Sequence, residues 1–167
     1  MAAYPPPTDG FSMEHPQVKT EFVFQVRVDF KERMRFEPTT PLGGRVYVPC
    51  TGGEISGPRL QGRVVPYSGA DWARGRPDRV AELNAHYMFE ASDGTPIYIH
   101  NRGFLYSYDR DNPTPGFQIR PHYFRLTPVF DVPTGPHDWL TRTVIVGIGK
   151  RFPDPDHTIF QYFAVLG

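Results

Sequence analysis

The stretch that decides the fold is Arg79–Tyr108, R-V-A-E-L-N-A-H-Y-M-F-E-A-S-D-G-T-P-I-Y-I-H-N-R-G-F-L-Y-S-Y. Two runs of extended-type residues flank Ser92-Asp93-Gly94-Thr95. An Asp-Gly between such runs is a strong hairpin signal, because a two-residue turn of the primed type needs positive φ, which glycine adopts freely. With Asp93-Gly94 as that turn, Phe89 pairs with Tyr98, Tyr87 with His100 and Ala85 with Arg102. That face is aromatic and small, with an imidazole and a guanidinium set into it. The opposite face carries Glu82, Asn84, His86, Met88, Ile97, Ile99, Asn101 and Leu105. Neither face is plainly apolar against polar, which suits a wall between packed surroundings and a lined cavity better than a core–solvent boundary.

Outward from the hairpin, the chain continues as short strands. Thr20–Phe30 alternates, with Phe22, Phe24, Val26, Val28 and Phe30 on one face and Gln25, Arg27 and Asp29 on the other. Gly44–Pro49 and Glu54–Pro66 read as two more strands, the second bent or bulged at Gly57, Pro58 and Gly62. Tyr67–Asp78 reads as a loop containing Ala70-Asp71-Trp72, and Asp109–Gly116 as another. Phe117–Asp131, Leu140–Lys150 and Thr158–Leu166 complete the strands, and V-P-T-G-P-H-D-W has room for one short helical turn. About eight strands separated by turn signals predict an all-β, antiparallel sandwich or barrel. A closed barrel of that size holds packed side chains or one small ligand. The expected organisation is a proline-rich flexible tail over residues 1–18, followed by one barrel domain over residues 19–167.

Composition removes several function classes. Net charge is zero, with 18 Lys and Arg against 18 Asp and Glu, so no basic field exists to attract nucleic acid or an anionic membrane. No apolar run approaches the length of a membrane span, and M-A-A-Y-P-P-P-T-D-G lacks the charged start and apolar stretch of a signal peptide. Cys50 is the single cysteine, which excludes an internal disulfide and points to a reduced, cytoplasmic setting. Nineteen prolines and sixteen glycines leave little room for long helices. The histidines show no metal-ligand spacing, so no metal site is expected. Gly147-Ile148-Gly149 opens no helix, so no dinucleotide cofactor is expected either.

Six blocks in order carry a family resemblance: G-G-E-I-S-G-P-R-L-Q-G-R-V-V-P, G-A-D-W, V-A-E-L-N-A-H-Y, S-D-G-T-P-I-Y-I-H-N-R-G, Y-F-R-L-T-P-V-F-D and W-L-T-R-T-V-I-V-G-I-G. Together they resemble the DUF3237 family, also called UPF0311, over roughly residues 20–165. The resemblance implies a compact β-barrel whose lumen holds a small molecule, often in an oligomer. Some fungal relatives in aromatic polyketide pathways, phenalenone biosynthesis among them, close rings without a cofactor by adding a hydroxyl across an alkene. Two positions depart from the family pattern. Asn84 stands where the block often reads E-L-D-A, and His100 where an arginine often precedes N-R-G. If the missing aspartate were an acid or base, its work would fall to Asp71, His100 or Glu82.

The residue types suggest where chemistry could lie. Asp71 is a carboxylate whose pKa the Trp72 indole would raise; the structural alternative is a turn aspartate with Trp72 as a plug. His100 could act as an acid or base near neutral pH, and Arg102 could stabilise an enolate or phenolate oxygen. Tyr87, Tyr98, Tyr106 and Tyr123 offer stacking surfaces, and Asn84 and Asn101 polar contacts, although both hairpin faces cannot point inward. The expected function is a cofactor-independent cyclase or isomerase acting on an aromatic small-molecule substrate; the alternative is a carrier for a hydrophobic metabolite. Large side chains on both hairpin faces predict a homodimer or homotetramer.

Overall fold

The structure is a computed structural model in which residues 17–107 and 121–167 are described. Nearly all of the expected tail and the Asp109–Gly116 loop lie outside those residues. The described strands are β1 (Thr20–Phe30), β2 (Met34–Arg35), β3 (Gly44–Ser56), β4 (Gly62–Val64), β5 (Ala70–Gly75), β6 (Ala81–Ala91), β7 (Pro96–Tyr106), β8 (Tyr123–Leu126), β9 (Val129–Asp131), β10 (Ile145–Pro153) and β11 (Asp156–Val165). One 3-10 turn, Asp138–Thr141, begins in the segment expected to allow it and runs past its end, so the strand expected from Leu140 starts only at Ile145. The order β6, β5, β3, β1, β11, β10, β8, β7 runs through successive hydrogen-bonded neighbours, and the β6–β7 pairing returns the sheet to its start. Those pairings are all antiparallel, so the chain forms a closed barrel of eight strands. The remaining strands double it locally: β4 lies between β3 and β6 beyond the end of β5, β9 pairs with β7, and β2 with β3.

Three local expectations are corrected. The break anticipated after Pro49 is absent, because β3 runs unbroken through Thr51-Gly52-Gly53. There Gly53 has φ 149°, and a Cβ on it would stand 1.8 Å from the Arg27 carbonyl oxygen, so only glycine lets β1 lie this close. The loop anticipated at Tyr67–Asp78 contains β5, which places Asp71 and Trp72 on a strand between β3 and β6. The central hairpin is displaced by one residue. The Ala91 N–H bonds to the Thr95 carbonyl at 2.9 Å, leaving Ser92-Asp93-Gly94 as a three-residue loop with Gly94 at φ 84°. Phe89 therefore faces Ile97, Tyr87 faces Ile99, His86 faces His100 and Ala85 faces Asn101.

The shift sorts the side chains cleanly. Ala81, Ala85, Tyr87, Phe89 and Ala91 of β6 point inward with Ile97, Ile99, Asn101 and Leu105 of β7, all of them buried. Tyr98, His100, Arg102 and Phe104 point outward. One end of the barrel is packed solid by Phe24, Phe89, Ile97, Phe130, Tyr162 and Leu140. Trp139 covers that end beneath the Arg59 guanidinium, whose carbon lies 3.7 Å from the ring centroid. Each such large apolar side chain contributes about 1.5–3 kcal/mol through burial. The other end is not filled.

Candidate active site in the barrel interior

The unfilled end follows from residue size. Across neighbouring strands β3, β5, β6 and β7 the register sets Val48, Asp71, Ala85 and Asn101 in one inward row. Ala81 lies further toward the mouth of the same cavity. Alanines there leave space that larger side chains occupy at the plugged end. The resulting cavity is walled by Phe30, Val48, Leu83, Tyr87, Leu105, Phe124 and Phe160, with Asp71, Asn101, Thr158, Arg33 and Arg151 as its polar groups. Its volume is about 60 Å³. That holds a handful of waters or the end of a planar molecule.

Asp71 is the ionisable group at the centre of this lining. Removal from water lifts its pKa from the ordinary 3.8 to about 6. The Asn84 backbone N–H, donating to Asp71 Oδ1 at 2.9 Å, and the positive field of Arg33 both oppose the rise, and burial prevails. The indole expected to lift this pKa is not the cause. Trp72 points the other way, packs on Tyr47 with centroids 4.7 Å apart and is 44% exposed. Beside Asp71 in the row, Asn101 Nδ2 donates to the Tyr87 hydroxyl at 3.3 Å. Asn101 Oδ1 is buried with no hydrogen-bond partner among the described residues, and the buried Tyr162 hydroxyl adjoins Tyr87 and Asn101. Burial holds both phenols well above the usual tyrosine range and pushes the Cys50 thiol up to about 11, so all three stay protonated.

Two groups that the sequence reading passed over stand at the mouth. Arg33 Nη1 and Arg151 Nη2 share the Asp156 carboxylate at 2.6 and 3.2 Å, while Arg151 Nε is buried without a partner among the described residues. Burial, then repulsion from Arg33, lowers the Arg151 pKa, partly offset by Asp156. Arg33 was hidden in the charged run K-E-R-M-R, and Arg151 beside D-P-D-H, which reads as an ordinary polar turn.

Of the residues singled out from sequence, Asp71, Tyr87 and Asn101 line the cavity. Trp72, Asn84, His100 and Arg102 do not; they border a separate outer groove with Arg45, Arg74 and Phe104. The grouping of His100 and Arg102 with Tyr87 on one face is thus corrected, since the three-residue loop exchanges the faces. His86 and His100, read as opposed, stack with centroids 4.0 Å apart. Tyr98 shares a 2.6 Å hydrogen bond with His86 Nδ1 on that outer face. Tyr106 and Tyr123 stack on each other at 4.7 Å, apart from both sites. The two departures from the family pattern meet: His100 Nε2 lies 2.7 Å from Asn84 Oδ1, so one hydrogen-bonded pair occupies both positions. Among the described residues no three His, Cys, Asp or Glu gather as a metal would require, and no helix is long and apolar enough to cross a membrane.

The family model for a protein of unknown function, DUF3237, matches residues 18–165. The chain belongs to the DUF3237 family. A UPF0311 protein of Rhodopseudomonas palustris is 31% identical over 146 residues, covering 83% of this chain and 92% of that protein. The crystal structure of a conserved protein of unknown function from the same organism superposes with a TM-score of 0.79 at 28% identity, covering 91% of this chain and all of that one. A β-barrel-like protein of Acinetobacter baumannii gives 0.79 at 24% identity, with 93% and 100% covered. An enzyme from Penicillium herquei gives 0.70 at 17% identity over the same shares, a likeness of fold. The barrel of this chain is thus shared with these solved structures.

Proposed function

We propose that this DUF3237 barrel is a cofactor-independent enzyme that moves a proton with Asp71 and closes an oxygen heterocycle on an aromatic, polyketide-like substrate. The observation that carries the reading is a carboxyl inside an apolar cavity with its pKa raised to about 6. Such a group is protonated often enough to act as an acid and deprotonated often enough to act as a base near neutral pH. The protonated carboxyl delivers its proton to one alkene carbon while a substrate hydroxyl oxygen bonds to the other. The hydroxyl proton then returns to the carboxylate, so the product is an isomer of the substrate and Asp71 is restored. One group in two protonation states needs no cofactor. General acid–base catalysis contributes on the order of 10²–10⁴ in rate, and alignment of hydroxyl and alkene in a narrow cavity adds to it. The fungal resemblance of the sequence blocks supports this chemistry, and the fold shared with an enzyme of Penicillium herquei supports an enzymatic role.

The test is incubation of the purified protein with an allylated or prenylated phenol in deuterated water. The expected product has the substrate's formula with one deuterium on carbon, and the Asp71→Asn variant forms none. Binding of the phenol without product overturns the catalytic reading in favour of a carrier.

A further inference from the structure

The cavity has unsatisfied polar atoms at both ends, and their chemistry describes an occupant. At the inner end Asn101 Oδ1, in a residue 1% exposed, lacks a partner among the described residues. At the mouth Arg151 Nε lacks one, while two guanidiniums divide the single Asp156 carboxylate. A buried polar atom left unpaired is costly enough that native proteins seldom keep several around one space without an occupant that pairs them. The net charge of the Arg33–Arg151–Asp156 group is positive, and the field of Arg35 on Arg151 adds to it. The walls between the two ends are aromatic and aliphatic.

We infer that the cavity takes a planar hydroxylated aromatic anion, its carboxylate or phenolate oxygen seated on Arg151 Nε–H beside Arg33 and its hydroxyl against Asn101 Oδ1 next to the Tyr87 phenol. This rests on reading the barrel interior as the working site, and it names the substrate class that site selects. A hydroxyl can donate and accept at once, which suits a carboxamide oxygen adjoining a phenol. A guanidinium holds an oxyanion by charge-assisted hydrogen bonds, about twice as strong as neutral ones. With the anion anchored at the mouth and the hydroxyl inside, the ring lies against the row that contains Asp71.

The probes are 4-hydroxybenzoate, its neutral counterpart 4-hydroxybenzyl alcohol, and benzoate, each titrated calorimetrically into the wild type, Arg151→Gln, Arg151→Lys and Asp71→Asn. The wild type is expected to bind the hydroxy acid at least tenfold more tightly than the alcohol or benzoate. Arg151→Gln removes the preference for the acid over the alcohol. Arg151→Lys, which keeps the charge but not the Nε–H, weakens the acid severalfold and serves if the glutamine variant does not fold. Asp71→Asn keeps the preference, so a proton-transfer mechanism that fails leaves this inference standing, and the reverse. Equal affinity of the wild type for acid and alcohol overturns it, as does unchanged binding of the acid by a folded Arg151 variant.

Discussion

Replacing Asp71 with asparagine should stabilise the protein, and by an amount that depends on pH in a calculable way. The carboxyl has a folded pKa near 6 against an ordinary 3.8. Because the folded value is raised, the folded state holds its proton more tightly than the unfolded chain. Stability from this group is fully present below about pH 4 and is lost as pH rises through 6, after which the deficit is constant. The difference of about two pKa units corresponds to about 3 kcal/mol. Partial exposure of the residue makes this a ceiling. Asparagine keeps an oxygen to accept the Asn84 N–H and carries no charge to desolvate. Urea denaturation of both proteins from pH 4 to pH 8 isolates the effect, since other titrating groups cancel in the difference. His100 is one of them: burial and its cationic neighbours lower its pKa, so its own contribution changes in the opposite direction, falling away as pH drops below about 6.5. The variant should match the wild type near pH 4 and exceed it by about 2–3 kcal/mol at pH 7, a rise of several degrees in Tm. A difference that stays flat across this range would refute a raised Asp71 pKa, and the proposed acid–base role with it.

Filling the row is a second perturbation. Ala85→Leu places a larger side chain between Asp71 and Asn101, and should abolish binding of small aromatic ligands in a protein whose circular dichroism is unchanged; retained binding would place the ligand elsewhere. The His100→Ala, Arg102→Ala double variant alters only the outer groove, so turnover per folded molecule should be unchanged. A loss of turnover by about 10² would return these residues to the chemistry. Gly53→Ala forces a methyl group into the Arg27 carbonyl and should cost more than 3 kcal/mol, seen as insoluble expression or a collapsed urea midpoint. A midpoint within 1 kcal/mol of the wild type would contradict the close β1–β3 approach.

The barrel was legible because strand alternation and turn residues recur along the whole chain. The face of its central hairpin was not, because the Asp-Gly turn signal and the apolar alternation call for different registers. Asp93-Gly94 suits a two-residue turn, but Asp93 Oδ1 accepts the Thr95 N–H at 3.0 Å and widens the loop by one residue. On β6 the odd-numbered positions are Ala, Leu, Ala, Tyr, Phe and Ala while the even ones include Glu82, Asn84, His86 and Glu90. On β7 Ile97, Ile99 and Leu105 are odd as well. Matching apolar to apolar requires odd to face odd, which the assumed turn forbids. Asp71 was legible as an isolated carboxylate, yet A-D-W-A-R-G has little intrinsic strand preference and is held extended by its neighbours β3 and β6. The Arg33–Asp156–Arg151 group joins residues far apart in sequence, and no local pattern announces such a meeting.

The pairing of β1 with β11 also governs when the molecule can exist. Thr20 lies opposite Val165 and Asp29 opposite His157, so β1 finds this partner only in β11, more than a hundred residues later. During synthesis β1 can pair with β3, but its other edge stays open until β11 leaves the ribosome. Between the synthesis of β1 and that of β11 the nascent chain therefore carries an unsatisfied row of backbone donors and acceptors next to Val26 and Val28, the kind of edge that recruits strands from other chains. Closing that seam spans nearly the whole sequence, which makes it a slow step and the stage at which this barrel most needs a chaperone.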